Sequence, residues 1–113
     1  MIKIVAFRNK ERIGFEIKGH ADYDDHGHDI VCAAVSILSH TIYRSLVVNL
    51  DLEDELDVEV KDGFMNLSLA RRGKDVDLLF DTFIEGIRSL EEGYGDFIKL
   101  TFCLLYTSDA ADE

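Results

Sequence analysis

The sequence predicts an α+β fold in which two helices pack on a mainly antiparallel sheet, in the order ββαββα with a candidate fifth strand. Three observations lead to this expectation. Two pairs of short segments alternate apolar and other residues, each pair is followed by a segment with helical periodicity, and no linker or repeat divides the chain. The 113 residues fit one domain, since domains cluster near ~100–150 residues.

The first half of the chain predicts a hairpin, a loop and a helix. A period of two, typical of strands, runs from Ile2 to Phe7 and from Ile13 to Lys18. The polar, glycine-bounded segment 19–28 predicts a loop. From Asp29 to about Asn49 the pattern is helical, and aspartate is a favoured N-cap residue.

The second half repeats this order. Segments 56–61 and 64–70 predict strands joined by Asp62-Gly63, a dipeptide typical of two-residue turns whose central positions take positive φ. A strongly amphipathic helix follows, with Gly93 as its expected C-cap, and segment 97–102 fits a short last strand. The apolar residues at helical spacing are Val76, Leu79, Phe80, Phe83, Ile84, Ile87 and Leu90.

Composition excludes several classes of protein. The chain carries 23 acidic and 12 basic residues, a net charge of −11, which disfavours nucleic-acid binding and favours basic partners. No apolar run approaches the ~20 residues that cross a bilayer, so no membrane association is expected. The start Met1-Ile2-Lys3-Ile4 lacks the layout of a secretion signal, which predicts a cytoplasmic protein, and two cysteines do not make a disulfide framework.

The C-terminal segment 103–113 resembles the translated read-through of a sequencing-library adapter over its whole length. It shows neither helical nor strand periodicity, so we expect residues 1–102 to form the single domain and the segment to be a non-native tail. Removing its three acidic residues from the charge of −11 leaves −8, and removing Cys103 leaves Cys32 as the remaining cysteine.

Cys32 is the first candidate for chemistry. With Asp29 as N-cap it occupies the third helical position, where the helix dipole and unpaired N–H groups favour a thiolate. A helical wheel places it on a small, polar side, opposite the apolar face where a merely packed cysteine is expected. The apolar face comprises Ile30, Ala34, Ile37, Thr41 and Val48, and the polar side also carries Ser36, Ser39, His40 and Tyr43. Packing alone stays open as an alternative.

A reactive thiol needs a base, and three histidines precede the helix: His20, His26 and His28. Histidine suits this role because it accepts and returns a proton near neutral pH. His20 follows the second predicted strand and is held by the sheet, whereas the other two flank a glycine in the loop. We therefore predict His20 as the base.

A zinc site is the alternative use of the same side chains, because they offer the nitrogen and sulfur ligands that zinc accepts. The candidate ligands are His20, His26, His28 and Cys32. Their spacing matches no standard zinc pattern, so no cofactor is expected. The loop aspartates, Asp22, Asp24 and Asp25, lack the length and closing glutamate of an EF-hand and predict a solvated acidic loop.

Two segments of the sequence, Gly19-His20-Ala21 and Asp29-Ile30-Val31-Cys32-Ala33-Ala34-Val35-Ser36, resemble the ribosomal-processing cysteine protease family, Prp. The likeness extends over residues 1–102 in length, hairpin order and the acidic second helix. It implies two helices on a sheet and a homodimer. It also implies cleavage of the N-terminal extension of a bacterial large-subunit ribosomal protein, the twenty-seventh in the usual naming, after a phenylalanine pair and before a small residue.

Carried onto this chain, the resemblance makes Cys32 the nucleophile and His20 the base. Asp29 also matches, and two roles stay open for it, orienting the histidine or capping the helix. Ser36, one turn after Cys32, matches and is expected to line the pocket. The loop between His20 and Asp29 carries extra aspartates and histidines and is more charged than the family's common pattern. We expect this difference to affect substrate contacts rather than the dyad.

The expected mechanism is acyl transfer through a thiolate, with the oxyanion held by N–H groups of the first helical turn and the loop closing as a lid. The acidic surface would steer a basic ribosomal protein to the site, and a peptide strand would add to a free sheet edge. A non-catalytic ribosome-associated binding module, in which Cys32 is only packed, is the competing class.

Overall fold

The structure, a computed structural model, describes residues 1–25 and 29–104. The elements in chain order are β1 (Ile2–Arg8), β2 (Ile13–Lys18), α1 (Ile30–Val48), β3 (Leu56–Lys61), β4 (Phe64–Leu69), α2 (Lys74–Tyr94) and β5 (Ile98–Leu104). A single 3-10 turn, Glu53–Glu55, precedes β3. The predicted α+β class and the order ββαββα with a fifth strand are confirmed.

The five strands form one mixed sheet in the order β3-β4-β2-β1-β5. Both hairpins are antiparallel, and they join through antiparallel pairing of β2 with β4. β5 pairs parallel with β1, which makes it the exception in an otherwise antiparallel sheet. β3 and β5 are therefore the two sheet edges, and the β2–β4 register brings Lys18 opposite Phe64.

The core lies between one face of the sheet and the two helices. Alternate residues of the three inner strands are buried, and the Phe15 ring stacks on the Phe83 ring of α2 with centroids 3.9 Å apart. The predicted face of α2 is confirmed, because its buried residues are Val76, Phe80, Phe83, Ile84 and Ile87. Burial of such large apolar side chains is the main stabilising contribution to a domain of this size.

α1 turns a different face to the core than the helical wheel predicted. Its buried residues are Val31, Val35, Ser39, Ile42 and Leu46. Ile30, Ile37 and Val48, expected in the core, are exposed, Ile37 to 68%. α1 is apolar around most of its circumference, so the pattern did not select one face. Cys32 is consequently half-buried at the edge of the core-facing side and not opposite it.

The apolar character of α1 has a second consequence. By length and composition alone α1 is long and apolar enough to cross a membrane, contrary to the expectation from the sequence. A core helix of a soluble protein meets the same criterion. Here α1 packs against α2 and contributes four apolar residues to the common core, Val31, Val35, Ile42 and Leu46. Part of its apolarity is thus explained by packing within the domain.

Three predicted details differ from the structure: the end of α2, the backbone angles of the β3–β4 turn and the end of β5. α2 continues through Gly93 to Tyr94, and its C-cap is Gly95, which keeps helical backbone angles. In the β3–β4 turn only Gly63 has positive φ, at 68°, so the expectation for Asp62 is wrong. β5 extends two residues into the segment 103–113, with Cys103 opposite Phe7. The non-native origin of that segment stays a prediction, and residues 105–113 lie outside the described residues.

Candidate active site

Asp29 caps α1 and fixes the loop that precedes it. Its Oδ1 accepts hydrogen bonds from the N–H groups of Val31 and Cys32, each at 3.0 Å, and its Oδ2 accepts one from Tyr23 N–H at 3.0 Å. Burial raises the pKa of Asp29, but these backbone donors outweigh it and hold the pKa below its usual value. Of the two roles left open for Asp29, the capping contact is the one present in the structure.

The same contacts revise the expected oxyanion site. Val31 and Cys32 N–H groups donate to the Asp29 carboxylate, and Ala33 N–H donates to the Asp29 carbonyl at 3.0 Å. Three of the donors that were expected to face an oxyanion are therefore already engaged. An N-cap carboxylate satisfies the same orphan groups that would otherwise attract a substrate anion.

The thiol of Cys32 lies behind this cap. Its Sγ accepts a hydrogen bond from Ala21 N–H at 3.4 Å. Burial raises the pKa of the Cys32 thiol, the nearby carboxylates of Asp29 and Asp22 raise it further, and the Ala21 contact offsets only part of this. The prediction of a lowered pKa is wrong, because burial raises the pKa of the thiol and Asp29 adds a negative charge where the helix dipole would have favoured a thiolate.

His20 is held between the ends of two strands. Gly19, with φ of 95°, donates its N–H to the Gly63 carbonyl at 2.8 Å, and this ties the end of β2 to the β3–β4 turn. The His20 ring then lies against Gly63, where an added Cβ would stand 3.0 Å from Nε2. Asp62 Oδ2 lies 3.9 Å from the same nitrogen. His20 thus follows the end of β2 with its ring at the β3–β4 turn, and its role as the base stays a prediction.

Cys32, His20 and Ser36 line two neighbouring cavities. The larger, about 470 Å³, is bordered by four carboxylates, those of Asp22, Asp24, Asp29 and Asp62. The smaller, about 270 Å³, lies between α1 and the β3–β4 hairpin and includes the apolar side chains of Val60, Phe64 and Met65. The structure thus brings together all four predicted site residues, although no hydrogen bond joins the thiol and the imidazole within the described part of the chain.

The zinc alternative is only partly addressed by the structure. Among residues 1–25 and 29–104, no group of three or more histidine, cysteine, aspartate or glutamate side chains is arranged to hold a metal ion. His26 and His28, two of the four candidate ligands, lie outside the described residues.

Sequence reasoning missed the contact between His20 and the β3–β4 turn. Asp62-Gly63 was interpreted only as a turn, and its side chains lie more than forty positions from His20 in the sequence. The contact arises from the β2–β4 register, which pairs the last residue of β2 with the first residue of β4. No local pattern signals that register.

The mixed sheet, the two helices on one face and the thiol-bearing cavity at the start of α1 fit a small α+β cysteine protease. The family model described as Cysteine protease Prp matches residues 1–99, and the chain belongs to this family. The resemblance noted in the two sequence segments is thereby confirmed.

Curated relatives carry the same name. The chain is 28% identical over 109 residues to the ribosomal processing cysteine protease Prp of Bacillus subtilis, an alignment that covers 89% of this chain and 96% of the relative. It is 25% identical over 85 residues to the Staphylococcus aureus protein of that name, with 74% and 80% covered. The similarity therefore extends over most of each relative and is not confined to the two motif segments.

Solved structures agree with the fold. A crystal structure of the S. aureus ribosomal processing protease Prp with a covalently linked product peptide superposes with a TM-score of 0.75 at 25% identity, covering 90% of this chain and 99% of that one. A protein of Streptococcus mutans superposes with a TM-score of 0.70 at 34% identity, covering 93% and 96%. The architecture is therefore shared across nearly all of the chain.

Proposed function

We propose that this chain is a cytoplasmic endopeptidase that removes the N-terminal extension of the twenty-seventh large-subunit ribosomal protein through a dyad of Cys32 and His20. The observation that carries the proposal is that these two side chains line the same cavities in a member of the Prp family. The relatives' names specify ribosomal processing, and the S. aureus structure contains a linked product peptide.

The proposed reaction begins with the thiol protonated. Because burial and two carboxylates raise the pKa of Cys32, the proton passes to His20 when the substrate is bound rather than resting there beforehand. The sulfur forms a bond to the scissile carbonyl carbon, and His20 returns the proton to the leaving amine as the C–N bond breaks. Water then hydrolyses the thioester and regenerates the thiol, with Ala21 N–H stabilising the thiolate.

The two cavities suit the two properties of the proposed substrate. Ribosomal proteins are basic, and the carboxylates around the larger cavity would attract them. The apolar walls of the smaller cavity, Val60 and Met65, lie beside Cys32 and suit a phenylalanine side chain. β3 is a sheet edge that borders this cavity, so the substrate strand would add there.

The test is cleavage of a peptide from the ribosomal protein extension that carries a phenylalanine pair before a small residue. Cys32→Ser and His20→Ala are each expected to lower kcat/KM by about 10³-fold or more, since members of a nucleophile–base pair act as a unit. Cys103→Ser, at the other end of the sheet, is the matched control and should cleave at the wild-type rate. Wild-type cleavage by either dyad variant would overturn the assignment.

The competing class, a binding module with a packed Cys32, is favoured by one observation, the raised pKa of the Cys32 thiol. Iodoacetamide alkylation of the folded Cys103→Ser protein distinguishes the two classes. A protease is expected to alkylate at Cys32 in the native state, and faster when a substrate-like peptide aldehyde is absent than when it is bound. Alkylation only after denaturation, together with no cleavage, would support the binding module.

We also propose a homodimer. The exposed apolar row on α1, with Ile30, Ile37 and Val48, supports this assembly, because such a row is usually covered by a partner. Sedimentation equilibrium should give twice the chain mass for the wild type and a shift toward monomer for Ile37→Asp. A wild-type protein that sediments as a monomer at all concentrations tested would contradict the dimer.

A further inference from the structure

His20 faces the β3–β4 turn with one of its two ring nitrogens. Nε2 is the ring atom closest to the position that a Gly63 Cβ would take, at 3.0 Å, with the neighbouring ring carbons Cδ2 and Cε1 at 3.6 Å. The ring tip therefore points at the turn, and Nδ1 is the nitrogen left for the side of the ring that faces away from it. A proton exchanged with a substrate-side group is carried by that second nitrogen.

The turn itself is anchored to the strand that carries His20. The Gly19 N–H to Gly63 carbonyl bond of 2.8 Å connects the residue before His20 to the residue under its ring. Gly63 has φ of 68°, a conformation that favours glycine, and its missing side chain leaves the space that the ring occupies. A backbone hydrogen bond thus joins the residue before His20 to the residue that the ring contacts.

Asp62 supplies a charge at the same place. Its Oδ2 lies 3.9 Å from Nε2, too far for a hydrogen bond but close for an ion pair, and both side chains border the larger cavity with Cys32. His20 must carry a positive charge after it takes the thiol proton and until it gives that proton to the leaving amine. A carboxylate at this distance stabilises the charged ring in both steps.

We propose that Asp62 is a positioning residue for the reaction. Its carboxylate holds the charged form of His20 with Nε2 toward the β3–β4 turn and Nδ1 toward the thiol, while the ring packs against Gly63. The inference rests on the proposed Cys32–His20 dyad. It adds a third member that lies on a different hairpin from the histidine and that the family resemblance did not include.

The test compares peptide cleavage by Asp62→Asn, Asp62→Glu and Glu11→Gln. Asn is as well suited to the turn as Asp, so Asp62→Asn removes the charge without removing the turn. We expect kcat to fall about fivefold, the range of a solvent-exposed charge pair, and KM to rise by less than about twofold, because three of the four carboxylates that border the larger cavity remain. Asp62→Glu should keep at least half of kcat, because the charge is retained.

Glu11→Gln removes an equal charge from the other hairpin turn, at the far end of β2, and is expected to leave kcat unchanged. Salt gives a second readout, because salt screens a charge effect at this exposed position. The ratio of the wild-type kcat to the Asp62→Asn kcat should approach one at about 1 M salt. A structural defect would keep the ratio constant.

The outcomes separate the inference from the function on which it rests. If His20→Ala is inactive while Asp62→Asn retains wild-type kcat at low salt, the dyad stands and the role of Asp62 is refuted. If His20→Ala cleaves at the wild-type rate, the proposed function itself fails. A loss in Asp62→Asn that Asp62→Glu shares and salt does not change assigns Asp62 to the turn alone and also refutes the inference.

Discussion

The two helices of this domain solve the same packing problem in different ways. α2 separates apolar and polar residues into two faces, buries the first and exposes the second. α1 is apolar nearly all round, buries one side and leaves Ile37 and Val48 exposed. Their N-termini differ as well, since the Asp29 side chain caps α1 whereas Gly73 gives α2 no side-chain cap. α2 is built for the core, while α1 also has to present Cys32 at its start.

The first difference predicts the largest effect, at the Phe83 ring of α2. Phe83→Ala removes a fully buried ring that stacks on Phe15, and we expect the free energy of unfolding to fall by about 3–5 kcal/mol. Leu78→Ala, on the exposed side of α2, should change it by less than about 0.5 kcal/mol. Urea denaturation measures both, and equal losses would contradict the two-faced description of α2.

The cap of α1 is expected to have a moderate effect on stability and a larger one on the thiol. Asp29→Ala should lower the free energy of unfolding by about 1 kcal/mol, whereas Asp29→Asn, an equally good cap, should keep most of it. Both remove the charge that raises the pKa of Cys32, so that pKa should fall.

Iodoacetamide alkylation of Cys32 near neutral pH is then expected to accelerate about threefold in Asp29→Asn, because a larger fraction of the thiol is ionised. Cys103→Ser is the background for this measurement, so that one thiol reports. An unchanged or slower rate would contradict a contribution of the Asp29 charge and leave burial as the cause of the raised Cys32 pKa.

The start of α2 is held by an ion pair in place of a cap. Arg72 donates two hydrogen bonds of 2.8 Å to Asp77, and these bonds lower the pKa of Asp77 despite its partial burial. A carboxyl with a lowered folded-state pKa adds stability above its ordinary pKa of ~3.9 and loses it as the pH falls through the folded value.

We therefore expect Asp77→Asn to be about 0.5–1 kcal/mol less stable than wild type at pH 7, a difference that vanishes as the pH falls well below 4. Urea unfolding at pH 7, 5 and 3 measures it. Glu92→Gln, exposed near the other end of α2, should follow the wild-type pH dependence. A difference as large at pH 3 as at pH 7 would assign the loss to packing and not to the charge.

The smallest effect is expected on the outer side of α1. Ile37 is exposed, so Ile37→Asn should change the free energy of unfolding of the monomer by less than about 0.5 kcal/mol. The measurement is urea denaturation at low protein concentration, where a dimer does not contribute. A fall in the free energy of unfolding of more than about 1 kcal/mol would show that Ile37 is buried, as the helical wheel predicted.

The same contrast explains what could be predicted from the sequence. The face of α2 was predictable because its polar and apolar residues segregate with a period of 3.6, and the strands because they alternate. The face of α1 was not, since Ile30 and Ile37 are as apolar as Val31 and Val35, and only contact with the sheet decides between them. Tertiary packing overrides a pattern that does not discriminate.

For the site, the local part was predictable and the long-range part was not. Cys32 follows from the spacing to Asp29, and His20 from its place after β2. The raised pKa of Cys32 depends on where the Asp29 charge lies relative to the sulfur, a distance that spacing does not give. The place of Asp62 depends on strand register, which is fixed by the whole sheet.

The backbone hydrogen bond between Gly19 and Gly63 makes assembly of the site a late event. A chain emerging from a ribosome contains His20 and Cys32 well before the β3–β4 hairpin has been synthesised. The Gly19–Gly63 hydrogen bond forms only when that hairpin pairs with β2. Contacts so distant in sequence form after local ones during folding. A nascent copy would thus carry Cys32 and His20 without the arrangement of the folded site until its fold is complete.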